Sequence, residues 1–331
     1  MATWSELPLI SIAEKTTFNP QFYIAEIIQQ VSERAKIYPF AGQMEKYGMK
    51  DHVGQTFQGN ITTVLGTSTG ASTLSAGTKI PFTNIVTKSY VGTVLEMGNA
   101  VKMEKFLLNV SPSDIEGKSV RYALAQDIAD MLDVKIRNAV YTATTNKMNA
   151  GTYATVGAFV TIGTRANCKM GYETILRMNT QKQLNNIDVD MPFFIHPYQN
   201  EDIFLETTAS ASFTDISKYT EKGVSKIYDF EIGKIGQFRV IPTNRVVGTK
   251  ESASTGTVQT AVAFAIVPEM AAAMAWAQPT VILFESDVDT DFGRTQGLCH
   301  YGQGGAVKLV DEYSILVKST VRNDITGYAI G

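Results

Sequence analysis

Residues 66–77 read Gly-Thr-Ser-Thr-Gly-Ala-Ser-Thr-Leu-Ser-Ala-Gly, a run in which Leu74 is the only large apolar side chain. Both flanks have strand character. Residues 55–65 are rich in Thr, Val and Ile, and residues 79–105 carry Ile80, Phe82, Ile85, Val86, Val91, Val94 and Leu95. The pattern predicts a long β-hairpin with a Gly/Ser/Thr tip. Ordering Gly and Ser removes much conformational freedom and here returns few contacts, so the rigidity of such a tip is expected to come from a neighbouring subunit.

Composition points the same way. Of 331 residues, 44% are hydrophobic and only 18% charged, against about 25% charged in ordinary soluble domains, which excludes disorder and leaves a surface suited to contact with other protein. The length predicts one large or two interlocked domains. With 29 Lys+Arg against 32 Asp+Glu, the net charge of -3 offers no general attraction to phosphate, so a dedicated nucleic-acid binder is not expected. Cys168 and Cys299 are too few and too far apart for a disulfide framework or a metal knuckle, and synthesis in a reducing cytoplasm is expected. Residues 1–8 lack a basic stretch followed by an apolar one, so no export signal is expected. The most membrane-like stretch, 261–277, is cut by Pro268 and Glu269 into pieces far below the ~20 residues a bilayer requires; a soluble chain with no membrane partner is expected.

Along the chain, residues 1–54 mix an amphipathic segment (Phe22, Ile24, Ile27, Ile28, Val31) with extended pieces broken by Pro8, Pro20 and Pro39, and read as an arm carrying one helix. Ser111-Pro-Ser-Asp114 is a strong helix start. Beyond it Ile115, Val120, Leu124, Ile128, Leu132, Ile136 and Val140 hold helical spacing for about seven turns. Glu116, Lys118, Arg121, Asp130, Lys135 and Arg137 are assigned to the opposite face. A second helix is expected to end near Asn185, followed by a buried strand at 191–195, a helix at 199–207, a strand with a Gly-containing bend at 232–241 and a buried strand at 261–267. Pro268-Glu269 is read as opening a short Ala/Met helix. Then come strand residues 281–284, an acidic and Gly-rich loop at 285–305, and final β structure around Val307, Leu309, Val310 and Ile315 to Val317.

Candidate chemistry is sparse. Gly66-Thr-Ser68-Thr-Gly70 matches a nucleophile pattern, but no helix-forming sequence follows Gly70, so a hydrolase built on Ser68 is not favoured. Asp287-Val-Asp-Thr-Asp291 resembles the start of a calcium loop, yet Phe292 and Leu298 stand where Gly and Glu are needed. His52, His196 and His300 have no metal-ligand spacing, and His196 before Pro197 is read as closing a strand end. Gly302-Gln-Gly-Gly305 is read as a turn rather than a phosphate loop. Lys102, Lys105, Arg121 and Arg137 are interleaved with Glu96, Glu104, Glu116 and Asp127, which reads as a solvated or subunit-facing surface. No enzyme, catalytic residue, cofactor or metal is expected.

An arm, a long two-stranded extension, one long helix, an α/β region and returning strands, in that order, resemble the major capsid proteins of tailed bacteriophages, a fold shared with encapsulins. The strings Phe194-Ile-His-Pro197, Gly236-Gln-Phe-Arg-Val-Ile241 and Asp291-Phe-Gly-Arg-Thr-Gln-Gly297 are similar to motifs of those families. The resemblance implies an α+β chain divided into an N-terminal arm (1–54), an extended E-loop hairpin (55–105), a peripheral domain with a long spine helix (106–149), an axial α/β domain (150–275) and returning strands of the peripheral domain (276–331). It implies inter-subunit contacts at the E-loop tip through Gly66, Ser68, Gly70, Ser72, Gly77 and Lys79, and a spine-helix core of Ile115, Ile128, Leu132 and Ile136. The implied partners are copies of the chain in hexamers and pentamers, a portal, a separate scaffolding protein, and enclosed double-stranded DNA held without sequence-specific contacts. The implied location is the virion capsid, assembled in the host bacterial cytoplasm. An encapsulin-type shell and a phage tail protein are the alternatives.

Overall fold

The computed structural model describes residues 34–44, 56–65, 85–104, 120–151, 157–159, 168–205, 233–253, 256–287 and 295–321. Its regular elements are β1 Gly42–Met44, β2 Thr56–Leu65, β3 Ile85–Thr93, β4 Leu95–Glu104, α1 Val120–Tyr141, β5 Lys147–Asn149, α2 Tyr172–Leu184, β6 Met191–Ile195, α3 Pro197–Leu205, β7 Gly233–Ile235, β8 Phe238–Pro242, β9 Val247–Ala253, β10 Gly256–Ile266, β11 Ala272–Asp287, β12 Thr295–Lys308 and β13 Ser314–Val321. The chain divides into two compact units. One comprises Met1–Ala35, Glu96–Leu132 and Gln278–Gln303, the other Lys36–Leu95, Asp133–Ala277 and Gly304–Gly331.

In the larger unit, apolar runs without alternation become strands buried on both faces. Every residue of β6 (Met-Pro-Phe-Phe-Ile) and of β13 is buried. Seven strands form one mixed sheet in the order β5-β13-β10-β6-β8-β7, with β9 also paired to β10. Successive side chains enter two different cores, because strand residues alternate between faces. Phe193, Ile195, Val240, Ala263, Ala265, Ile315 and Val317 pack with Ile175 and Met178 of α2 and Ile203 of α3. Phe194, Ile241, Phe264, Ile266 and Leu316 pack with Ile37, Phe40, Ile136 and Val140. Pro192 sits where the pairing of β6 with β10 stops: β10 meets only Phe193 and Phe194, so the missing N–H interrupts no bond on that side.

The second core is centred on aromatic rings. Phe194 lies 5.7 Å from Phe40 and 5.0 Å from Phe264, and Tyr141 meets Phe264 edge-on at 5.5 Å. In the smaller unit Met97, Leu124, Ile128 and Leu132 are buried. There Arg34 lies over the Tyr122 ring at 3.4 Å and donates to the Tyr122 carbonyl oxygen at 2.8 Å.

Two expectations are corrected. Ala272–Asp287 is a 16-residue strand, not the Ala/Met helix. Glu269, at φ 64°, takes a left-handed conformation that a helix cannot continue, and its N–H donates to the Phe40 carbonyl oxygen at 2.9 Å. The alanines that follow form a strand because Ala273 to Ala275 pair in parallel with β1, so tertiary pairing overrides intrinsic propensity. Residues 302–305 are likewise strand rather than turn. Strands β11 and β12 join a four-stranded sheet, in the order β1-β11-β12-β4, whereas β13 pairs with β10 and β5 in the seven-stranded sheet. An eight-residue strand with no exposed residue needs cover on both faces. Within the seven-stranded sheet, Phe194→Ala is expected to lower the unfolding free energy by about 3–5 kcal/mol, as measured by chemical denaturation, because it opens a cavity between Phe40 and Phe264.

Candidate assembly elements and their anchors

Strands β2 and β3 are antiparallel, with Thr56 opposite Thr93 and Thr62 opposite Thr87, and a bulge follows before Leu65 meets Ile85. Among the described residues they pair only with each other, so both outer edges of this hairpin lack a strand partner. Isolated two-stranded sheets are marginal in water, and unpaired edges invite pairing with another chain. The two faces differ. Thr56, Gln58, Asn60, Thr87, Ser89, Val91 and Thr93 make one exposed, uncharged face. The other carries Phe57, Gly59, Ile61, Lys88, Tyr90 and Gly92, all buried or half-buried.

That covered face is built from two reciprocal glycine and aromatic pairs. Phe57 stands opposite Gly92 and Tyr90 opposite Gly59. Each ring lies in the space that a Cβ on the facing glycine would need. The rings therefore screen backbone that glycine would leave bare, an arrangement that stiffens a ribbon otherwise weakened by two glycines. The hairpin root is docked as well: Gly305 of β12 lies against the Thr93 carbonyl, and a Cβ there would come 3.3 Å from the Phe57 ring. Further out, Lys88 forms an ion pair with Glu312.

Glu312 lies in a short 3-10 turn, Asp311–Tyr313, that is held from several sides. The Asp311 carboxylate accepts the N–H groups of Thr144 at 3.0 Å and of Thr145 at 3.0 Å, both threonine hydroxyls, and Lys308 Nζ at 2.9 Å. Asn146 Nδ2 donates to the Glu312 carbonyl oxygen at 3.0 Å. Partial burial pushes the Asp311 carboxyl up, but the bonds from Thr145, Lys308 and Thr144 outweigh it and hold the group well below the usual carboxylate range.

Helix α1 carries a polar stripe at four-residue spacing within its apolar surface. Asp133, fully buried, accepts the N–H of Lys36 at 2.8 Å, of Ile37 at 3.0 Å and of Tyr38 at 2.8 Å, and forms an ion pair with Arg245. Burial pushes its carboxyl up and prevails over Arg245 and the three amides. Arg137, one turn on, donates to the Arg245 carbonyl oxygen at 2.7 Å. The Tyr141 hydroxyl, another turn on, donates to the Val262 carbonyl oxygen at 2.7 Å and accepts the Val247 N–H at 3.1 Å. Burial holds its phenol well above the ordinary tyrosine range. Arg137 is thus buried against backbone and is not part of the solvated face assigned to it from sequence. The signal was present as Asp, Arg and Tyr at i, i+4 and i+8, but charge alone reads as solvent exposure.

Of the residues singled out from sequence, Ile128, Leu132 and Ile136 lie on α1 and are buried. Ile115, Gly66, Ser68, Gly70, Ser72, Gly77, Lys79, His52 and most of the 287–291 acidic run lie outside the described residues. His196 follows β6, where its Nδ1 accepts the Tyr198 N–H at 3.3 Å and its own N–H donates to Gln199 at 2.8 Å, at the start of α3. His300 is buried on β12 with Nε2 2.6 Å from an Asp127 carboxylate oxygen. Among the described residues no group of three or more His, Cys, Asp or Glu side chains is placed to hold a metal ion, and no helix is long and apolar enough to cross a membrane.

No protein-family model matches the chain, and no curated protein matches it. Solved structures do. The capsid of Ralstonia phage GP4 superposes with a TM-score of 0.68 at 13% identity, over 89% of this chain and 93% of that one. The capsid asymmetric unit of cyanophage Pam1 gives 0.58 at 11% identity over 89% and 93%. The acid-stable capsid of Helicobacter pylori bacteriophage KHP30 gives 0.57 at 13% identity over 97% and 100%. The chain has the α+β fold of phage major capsid proteins, over nearly its whole length.

Two outcomes follow from the anchors. Asp133→Ala is expected to cost about 3–5 kcal/mol in chemical denaturation, because Arg245 and three amides lose a buried acceptor, and Asp133→Asn is expected to cost less. For Asp311 the folded carboxyl titrates below its unfolded value. Its stabilisation is therefore complete above about pH 4 and is withdrawn as pH falls through the folded value. Denaturation across about pH 4 to 2 is expected to show a steeper loss for the unaltered chain than for Asp311→Asn.

Proposed function

We propose that this chain is a major capsid protein, a structural protein whose copies self-assemble into the icosahedral shell around a phage double-stranded DNA genome. The observation that carries the reading is a phage-capsid fold spanning nearly the whole chain. It is supported by a hairpin that leaves both edges and one uncharged face unpartnered within the described residues.

On this reading residues 55–105 contain the E-loop, whose tip at Gly66, Ser68, Gly70, Ser72, Gly77 and Lys79 lies on a neighbouring copy. The arm is 1–54, and α1 belongs to the spine helix, with Ile115, Ile128, Leu132 and Ile136 on its core side. The peripheral domain takes 106–149 with returning strands from 276–331, and the axial domain takes most of 150–275, its sheet completed by β13. Axial domains surround five-fold and six-fold axes in pentamers and hexamers, and each subunit is held by several contacts that close on symmetry. Each contact is modest. Loss of a subunit requires breaking them together, so closure supplies the durability that no single interface does. A portal and a separate scaffolding protein complete the set of partners, DNA is enclosed without sequence-specific contacts, and the shell is built in the host bacterial cytoplasm and resides in the virion.

The test is negative-stain imaging of the overexpressed full-length chain beside a variant lacking residues 66–77. Closed shells are expected from the first, and a folded subunit without stable shells from the second. Open tubes, protein cargo without DNA in particles from infected cells, or normal shells from the deletion variant would each overturn a part of the assignment.

A further inference from the structure

The hairpin touches the rest of its unit along one face, and two of those contacts differ in kind. At the root, Gly305 meets the Thr93 carbonyl and the Phe57 ring. This is a steric seat of backbone and ring. About 17 Å further out along β3, at ~3.4 Å per residue, the contact is a charge pair between Lys88 and Glu312. Lys88 faces the same side as Phe57 and Tyr90, opposite Ile61.

The base of that pair is fixed. Asp311 is tied to Thr144, Thr145 and Lys308, and the Glu312 carbonyl oxygen accepts from Asn146 at 3.0 Å and Asn185 at 3.3 Å. The Glu312 carboxylate spends one oxygen on Lys88, while Oε2 is buried with no hydrogen-bond partner among the described residues. Both side chains remain about a third or more exposed, 41% for Lys88 and 35% for Glu312. Half-exposed pairs of this kind are weak and reversible. A fixed post, a weak charged contact and a seated root together describe a lever with a pivot and a catch.

We propose that Lys88 and Glu312 form a latch that sets the angle at which the hairpin leaves its unit, with the Gly305, Thr93 and Phe57 contact as the pivot. The latch opens without disturbing either core, since neither side chain belongs to a core cluster. On the shell reading, on which this consequence rests, the angle of the hairpin decides where its outer edges meet another copy. One sequence then serves the unequal neighbour geometries of pentamers and hexamers by closing or opening a single ion pair.

Hydrogen exchange of the full-length, unassembled chain tests this. Because a two-stranded ribbon released from its post is marginal and frays, Glu312→Gln and Lys88→Gln are each expected to raise exchange in strands 56–62 and 87–93 by up to about fivefold, the equilibrium factor of a half-exposed pair, while β6 and β10 stay protected. The exchanged pair, Lys88→Glu with Glu312→Lys, is expected to return exchange toward that of the unaltered chain. Unchanged exchange in both single variants, or an exchanged pair as fast as the singles, would overturn the latch. Because this is read before assembly, its failure is separate from failure of the shell reading, which micrographs of the unaltered chain decide.

Discussion

The buried carboxylate of Asp133 is the constraint on which the larger unit depends. A helix surface ordinarily meets its neighbours through apolar ridges, and α1 does so through Ile136 and Val140. Asp133 adds what such ridges lack, a fixed address. Three successive amides at Lys36, Ile37 and Tyr38 can converge on one carboxylate only if that stretch of chain turns in a single way, and the turn carries Ile37 and Phe40 into the aromatic core. Arg245 answers the charge from beyond β8, so one side chain ties together segments far apart in sequence. Burying a charge for this purpose is costly, and its return is specificity of placement more than net stability.

Arg137 and Tyr141 extend the same logic along the helix. Each uses a polar tip to satisfy backbone groups at or just before the end of the β9–β10 ladder, whose last pair is Val247 and Val262: Arg137 the Arg245 carbonyl, Tyr141 the Val262 carbonyl and the Val247 N–H. The helix is thereby registered axially against β9 and β10, and sliding it by one turn would strand three buried polar groups at once. The hairpin contrasts with this. It is held by aromatic cover over glycine, one backbone seat and a surface ion pair, contacts that orient it without locking it.

Much of this organisation was legible in the residues. Strands buried on both faces announced themselves as unbroken apolar runs, as at Met191–Ile195, and the hairpin as Thr- and Val-rich flanks around a barren tip. The long helix followed from spacing. The misreadings share one cause, which is that local composition cannot report what a distant segment supplies. Ala272 to Ala275 have helix-forming composition, yet β1 captures them as strand. Residues 302 to 305, Gly-Gln-Gly-Gly, have turn composition, yet they sit in strand because neighbours press on the glycines: a Cβ at Gly304 would lie 3.0 Å from the Ala275 carbonyl oxygen. Arg137 carries a charge, which ordinarily marks solvent, yet a carbonyl 108 positions along the chain receives it. The helical spacing of Ile128, Leu132 and Ile136 was readable because periodicity is a local property. The Lys88 and Glu312 pair was not, since nothing within reach of either residue in sequence points to the other.

On the proposed shell reading, the division between locked and merely oriented contacts has a physical sense. A core that must be identical in every copy is best specified by buried polar geometry, where a wrong arrangement leaves charges and amides unsatisfied. An element that, on that reading, meets neighbours at more than one angle is best left with contacts of low individual strength, whose rupture exposes little apolar surface. The edges of β2 and β3, unpartnered among the described residues, complete the contrast. Such edges are a hazard for a lone chain, and on the proposed shell reading other copies would pair or cover them.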